Sequence, residues 1–244
     1  MLYSNPQLMD IVKKQYFFKL KAYRSVFITM IITQLLGLAL SIKENSSSGF
    51  SAENYSIVSN VYSSSIIFAL MMVWTFITSI LLTTKAYRYD DFSFVTNRLS
   101  SYISNVFFLI TINIIASITS MMVGFTLQLY LYYFTNLKDT HLSPREFFIG
   151  LGAYVMYLCL ISSLAYLIGM LLQLSRKYIL SLIAAFITLI MIMQSFDINI
   201  VGSVYEQLYD ETSFGIFSLK IVSICLLHCL LAFFIQNRME VRPQ

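Results

Sequence analysis

Apolar runs of membrane-spanning size dominate this chain: Val26 to Ile42, Val61 to Thr83, Val106 to Phe134, Phe147 to Leu172, Ile179 to Phe196 and Gly215 to Ile235. A helix crossing a hydrocarbon core of about 30 Å needs roughly 20 apolar residues, and a run of about 18 already marks a candidate span. Charged residues make up 11% of the 244 and hydrophobic ones 58%, with a mean hydropathy of +0.74. A soluble domain carries charge at about a quarter of its positions. The expected fold is therefore all-α: a polytopic bundle of six transmembrane helices over residues 26–236, with short connections and no attached soluble domain. The third run would be about 43 Å long as one helix, so it must tilt, kink near Gly124 or project beyond the bilayer.

Orientation follows from the basic residues, which are retained on the cytoplasmic side. With the N-terminus inside, Lys13, Lys14, Lys19, Lys21, Arg24, Lys85, Arg88, Arg98, Arg176, Lys177, Arg238 and Arg242 all lie inside. Lys43, Lys138 and Arg145 lie outside, and Lys220 falls within the last run. Most of the acids sort the opposite way. Both termini, including the tail 237–244, are expected in the cytoplasm of a bacterial cell membrane. About 25 basic and aromatic residues precede the first run, more than a cleaved signal peptide carries, so the first span is expected to stay.

Residues 1–25 are expected to form an amphipathic connector helix in the inner interface. At 100° per residue Leu8, Met9, Ile11, Val12, Tyr16, Phe18, Ala22 and Tyr23 share one side, and Asp10, Lys13, Lys14, Lys21 and Arg24 the other. Gln15, Phe17 and Lys19 break the pattern. Aromatic side chains among headgroups and lysines near anionic lipid suit such a position. A topology anchor would need the same charges.

Between the second and third runs, residues 87–105 read YRYDDFSFVTNRLSSYISN. Phe92, Val95, Leu99, Tyr102, Ile103 and Val106 form a helical stripe, with Phe94, Asn97, Arg98 and Ser101 on the other face. Asp90 and Asp91 stand where carboxylates cap a helix start. An aromatic knob beside an arginine on a short helix at about 90–104 has the composition of a protein docking site. An interfacial turn would show similar residues. On the outer side, residues 197–214 are acidic and free of Lys and Arg. Val201, Val204, Tyr205, Leu208 and Tyr209 make a stripe there, expected as a short outer helix at about 200–210. Tyr205, Glu206, Tyr209 and Asp210 are its candidate gate residues.

The spans lack the ionisable residues of ion-coupled carriers and the filter sequences of channels. Phosphate-loop and hydrolase motifs are absent too. Cys225, His228 and Cys229 share a face of the last run, and with Cys159 as a distant fourth they offer soft-metal or thiol chemistry; free cysteines also pack as small apolar residues. No metal site is expected. The small-x-x-x-small pair Ala165 and Gly169 fits close helix approach.

Together these features resemble the membrane subunit of type-two ABC exporters. The basic helix Leu8 to Arg24 is similar to that family's connector, VTNRLSSY at 95–102 to its coupling-helix pattern, and Val201 to Tyr209 to its outer helices. The resemblance implies a permease that dimerises with an identical or related subunit and pairs with two ATP-binding subunits. It implies no cofactor on this chain, since ATP and magnesium would sit on the partner ATPase, and no nucleic acid. Phe94, Asn97 and Arg98 would fill the ATPase groove. The expected cargo is a hydrophobic or amphipathic peptide, toxin- or bacteriocin-like. A non-transporting immunity or scaffold protein and an intramembrane enzyme are the rival classes.

Overall fold

The structure, a computed structural model, describes residues 8–45, 65–84, 87, 98–135, 144–174 and 214–238. Among these residues it is entirely helical, in chain order α1 (Leu8–Ala22), α2 (Arg24–Asn45), α3 (Ser65–Thr83), α4 (Arg98–Thr135), α5 (Pro144–Leu174) and α6 (Phe214–Arg238). Five helices are long and apolar enough to cross a membrane: Arg24–Ile42, Ser65–Thr83, Leu99–Phe134, Phe147–Gln173 and Phe214–Gln236. The chain is a multi-pass membrane protein. These spans fall on five of the six expected runs to within a few residues, apart from an earlier start to the third. The run Ile179 to Phe196 lies outside the described residues.

The inward faces are small and polar as often as large, which suits helices that gain little from burying apolar surface when lipid is just as apolar. α2 and α3 form an antiparallel hairpin: Trp74 Nε1 donates to Thr29 Oγ1 at 3.1 Å, and Gly37 lies against Ile67 and Leu70. α4 returns parallel to α2, with Gln34 Nε2 donating to Thr119 Oγ1 at 2.7 Å and to Ser120 Oγ at 3.0 Å. α5 packs antiparallel to α4, since Asn105 meets Tyr166, Asn113 meets Ser162 and Phe125 meets Phe147. α3 and α5 run in the same direction, with Phe68 beside Tyr154 at one end and Thr83 beside Gly169 at the other. A Cβ on Gly169 would stand 2.4 Å from Thr83 Oγ1, so only glycine permits this approach. The Ala165 and Gly169 spacing thus serves a seam within the chain, where Ala165 is fully buried.

α6 runs parallel to α5: Gly152 lies under Phe214, Tyr157 beside Phe217 and Ser163 beside His228. The chain leaves α5 and enters α6 at opposite ends of the bundle. One end gathers α1, the start of α4 and the last turns of α3, α5 and α6; this is the α1 end, and the other is the far end. α4 holds 38 residues in one unbroken helix through Gly124, about 57 Å at 1.5 Å per residue. It exceeds an ordinary bilayer core by far, and α1 packs against its first half.

Candidate functional site

α1 joins α2 through Tyr23 alone. Tyr23 N–H donates to the Lys19 carbonyl at 2.9 Å, and its own carbonyl accepts from Val26 N–H at 3.1 Å. The face of α1 turned to protein is Val12, Gln15, Lys19 and Tyr23, all buried. This differs from the face read off the helical wheel. Gln15 and Lys19, which break the apolar pattern, are inside, whereas Leu8, Met9 and Phe18 are exposed. For Lys19 the reason is the partner, since α4 presents Ser104 and Asn105 to its ammonium; the Gln15 amide is buried with no hydrogen-bond partner among the described residues. Tyr16 and Thr111 hydroxyls hydrogen-bond at 2.9 Å. Lys13, Lys14, Lys21 and Arg24 are exposed, as expected for residues facing water or headgroups.

Lys19 is 1% exposed. Its ammonium donates to Ser104 Oγ at 2.8 Å and to Asn105 Oδ1. Asn105 Nδ2 donates to the Tyr166 hydroxyl at 3.2 Å, whose ring lies 6.1 Å from that of Tyr102. The Tyr102 hydroxyl donates to the Cys229 carbonyl at 2.6 Å. One run of contacts therefore ties α1, α4, α5 and α6 at the α1 end. Taking an ammonium out of water costs several kcal/mol unless its hydrogen bonds are replaced, and Ser104 and Asn105 supply two of the replacements.

The expected docking segment is bordered by this arrangement. Tyr87 packs edge-on against Tyr23 with ring centroids 4.6 Å apart, and the Tyr23 hydroxyl donates to the Tyr87 carbonyl at 3.4 Å. Arg98 opens α4, and Ser101 is half-buried with its carbonyl accepting from Ser104 Oγ at 2.8 Å. Residues 98–104, expected within a separate short helix, are the first turns of α4 and continue into the span without a break. Tyr102 packs into the bundle, and Leu99 is half-buried. Asp90, Asp91, Phe94 and Asn97 lie outside the described residues, as do the outer-gate residues Tyr205, Glu206, Tyr209 and Asp210.

Between α4, α5 and α6 a groove of about 310 Å³ brings together Cys159, Cys225, His228 and Cys229, with Ser163 and Tyr166. Cys159, distant in sequence, is therefore a neighbour in space. Ser163 Oγ lies 3.0 Å from His228 Nδ1 and 3.6 Å from Cys225 Sγ, and donates to the Leu160 carbonyl at 2.8 Å. The serine–histidine distance suits proton transfer. However, the serine sits mid-helix, where backbone N–H groups are already spent, and among the described residues the lining holds no carboxylate or amide to orient the ring or receive an oxyanion. The three cysteines are free thiols, and among the described residues no cluster of three His, Cys, Asp or Glu is placed to hold a metal. The arrangement reads as interhelical hydrogen bonding.

At the far end, α3, α4 and α5 line a half-open groove of about 500 Å³. Its walls are the rings of Phe68, Phe125, Phe147, Tyr154 and Tyr157, with Ser65, Ser120 and Gln128 as further polar members. It left no sign in the sequence, because aromatic residues in spans are common and only the fold shows which share a wall. No protein family matches this chain, and neither a curated protein nor a solved structure does.

Proposed function

We propose that the chain is the membrane subunit of an ATP-driven exporter of the type-two ABC class, crossing the membrane six times with α1 lying in the cytoplasmic interface. The observation that carries this reading is the way α1 borders residues 88–97. Tyr23 holds Tyr87 just before them, and Lys19 holds Ser104 and Asn105 just after. A force on that segment is therefore delivered to α1 and to the long helix α4 together. A connection that merely closed a hairpin would not need both of its ends fixed to the same interfacial helix.

The parallel packing of α5 and α6 supports the sixth crossing. The chain must return from the α1 end to the far end between Leu174 and Phe214, and Ile179 to Phe196 supplies about 27 Å of apolar helix for the journey. Exposed Lys13, Lys14, Lys21 and Arg24 at the α1 end support a cytoplasmic position for that end. One ATP-binding subunit docks on Phe94, Asn97 and Arg98, a second permease subunit with its own ATP-binding partner completes the pathway, and ATP and magnesium stay on the two ATPases. The cargo is a hydrophobic or amphipathic peptide. Co-purification tests the docking. The double variant Phe94→Ala, Arg98→Asp is expected to lose the ATPase activity that accompanies the tagged wild-type chain, at unchanged membrane levels; ATPase retained at the wild-type amount refutes the assignment.

A further inference from the structure

Of the four lysines of α1, one turns inward and three turn outward. Val12, Gln15, Lys19 and Tyr23 face the bundle, whereas Lys13, Lys14 and Lys21 are exposed, as is Arg24 at the start of α2. Phe17, 49% exposed, stands one helical turn from Lys13 and one from Lys21, and the exposed Phe18 stands one turn from Lys14. Cation and aromatic ring thus alternate along the outward face. Asp10 is the one acid of α1, so the balance of exposed charge there is positive.

At a bilayer surface both kinds of side chain have a place. The rings enter the boundary between headgroups and acyl chains, while the lysine stems run beside them and the ammoniums reach phosphate. An acidic protein surface would also pair with the lysines, yet α1 joins the first span through Tyr23, which keeps this face within reach of headgroups. The inward face is a weak clamp by comparison. It buries the Lys19 ammonium, and both polar atoms of the Gln15 amide are buried with no hydrogen-bond partner among the described residues. These are desolvation costs set against the few hydrogen bonds made. A helix of 15 residues is marginal by itself, so what lies against its outer face decides how firmly it sits.

We propose that the outward face of α1 binds anionic phospholipid, with Lys13, Lys14 and Lys21 on the phosphates and Phe17 and Phe18 among the upper acyl carbons, and that this binding holds α1 on α4. Tyr23 and Lys19 tie α1 to Tyr87 and to the start of α4, so the bound lipid also steadies both borders of residues 88–97. The inference rests on the interfacial position proposed for α1 and is tested without any ATPase, so its failure and the failure of the docking assignment are separate results.

The full chain in neutral detergent is titrated with phosphatidylglycerol and, separately, with phosphatidylcholine; bound lipids are counted by native mass spectrometry, and amide exchange along α1 is followed in the same samples. Phosphatidylglycerol is expected to bind more tightly than phosphatidylcholine and to slow exchange in α1. Lys13→Gln, Lys14→Gln and Lys21→Gln together are expected to weaken phosphatidylglycerol binding about a hundredfold, from about fivefold for each lysine, and to abolish the protection. All three side chains are exposed, so the melting temperature of the lipid-free variant stays that of the wild type. Lys19→Met removes the same charge from the same helix, but on its inward face, and is expected to leave the affinity unchanged. Exchange in α1 that phosphatidylglycerol does not slow, or a loss in Lys19→Met equal to that for each outward lysine, overturns the proposal. Affinity retained in the triple variant overturns it too, and leaves the cationic face to an acidic protein surface.

Discussion

The two ends of the bundle are packed differently. At the α1 end Lys19, Ser104, Asn105, Tyr166 and Tyr102 tie helix to helix, and Gly169 brings α5 against Thr83 with no room to spare. At the far end the helices stand apart around a half-open space of about 500 Å³ walled mainly by aromatic rings. The first arrangement holds elements in fixed relation and suits the transfer of force. The second leaves space between the helices. Membrane helices make this contrast sharp, because small residues and hydrogen bonds, rather than apolar burial, decide where they close.

The same change made at both ends tests the contrast most severely. Gly169→Leu is expected to cost about 3 kcal/mol or more, because its first side-chain carbon already collides with Thr83. Gly150→Leu is expected to leave the melting temperature nearly unchanged. Thermal denaturation in detergent compares the two, and Thr83→Ala is expected to rescue part of the loss in Gly169→Ala. Equal effects at the two glycines would show that the ends do not differ in packing.

Removing the cation at the α1 end comes next in size. Lys19→Met leaves Asn105 Oδ1 and Ser104 without their donor and is expected to cost about 2 kcal/mol. In a double-mutant cycle with Asn105→Leu the two losses are expected to be strongly non-additive. Additive losses would mean that the lysine is not seated where the seam requires it.

The smallest effect is expected between the two ends. Replacing Cys225, His228 and Cys229 together by Ser or Ala removes the Ser163–His228 contact, worth about 0.6 kcal/mol. It should leave function intact. Loss of function with the fold preserved would return the groove to the candidate catalytic sites.

The spans were legible because about 20 consecutive apolar residues admit few other readings, and the described span boundaries lie close to the expected ones except at the start of the third. The protein-facing side of α1 was not. A helical wheel ranks faces by hydropathy, and here the face that meets protein is the one carrying Gln15 and Lys19. Their signal was the interruption itself: a lysine four residues before Tyr23 on an otherwise apolar side. The start of α4 was misplaced because Ser100, Ser101, Ser104 and Asn105 look like loop residues, while in the bundle they are the surface on which helices close. The far-end groove carried no signal at all, since one tyrosine among 17 gains meaning only from the walls around it.

The central claim is that force enters through the α1 end from a nucleotide-hydrolysing partner. Uptake of a labelled hydrophobic peptide into proteoliposomes tests it most directly, comparing the complex that co-purifies with the tagged chain against the chain alone. Accumulation that requires ATP and the complex, and is absent for the chain alone, is the expected result. Accumulation by the chain alone, with or without ATP, would contradict it.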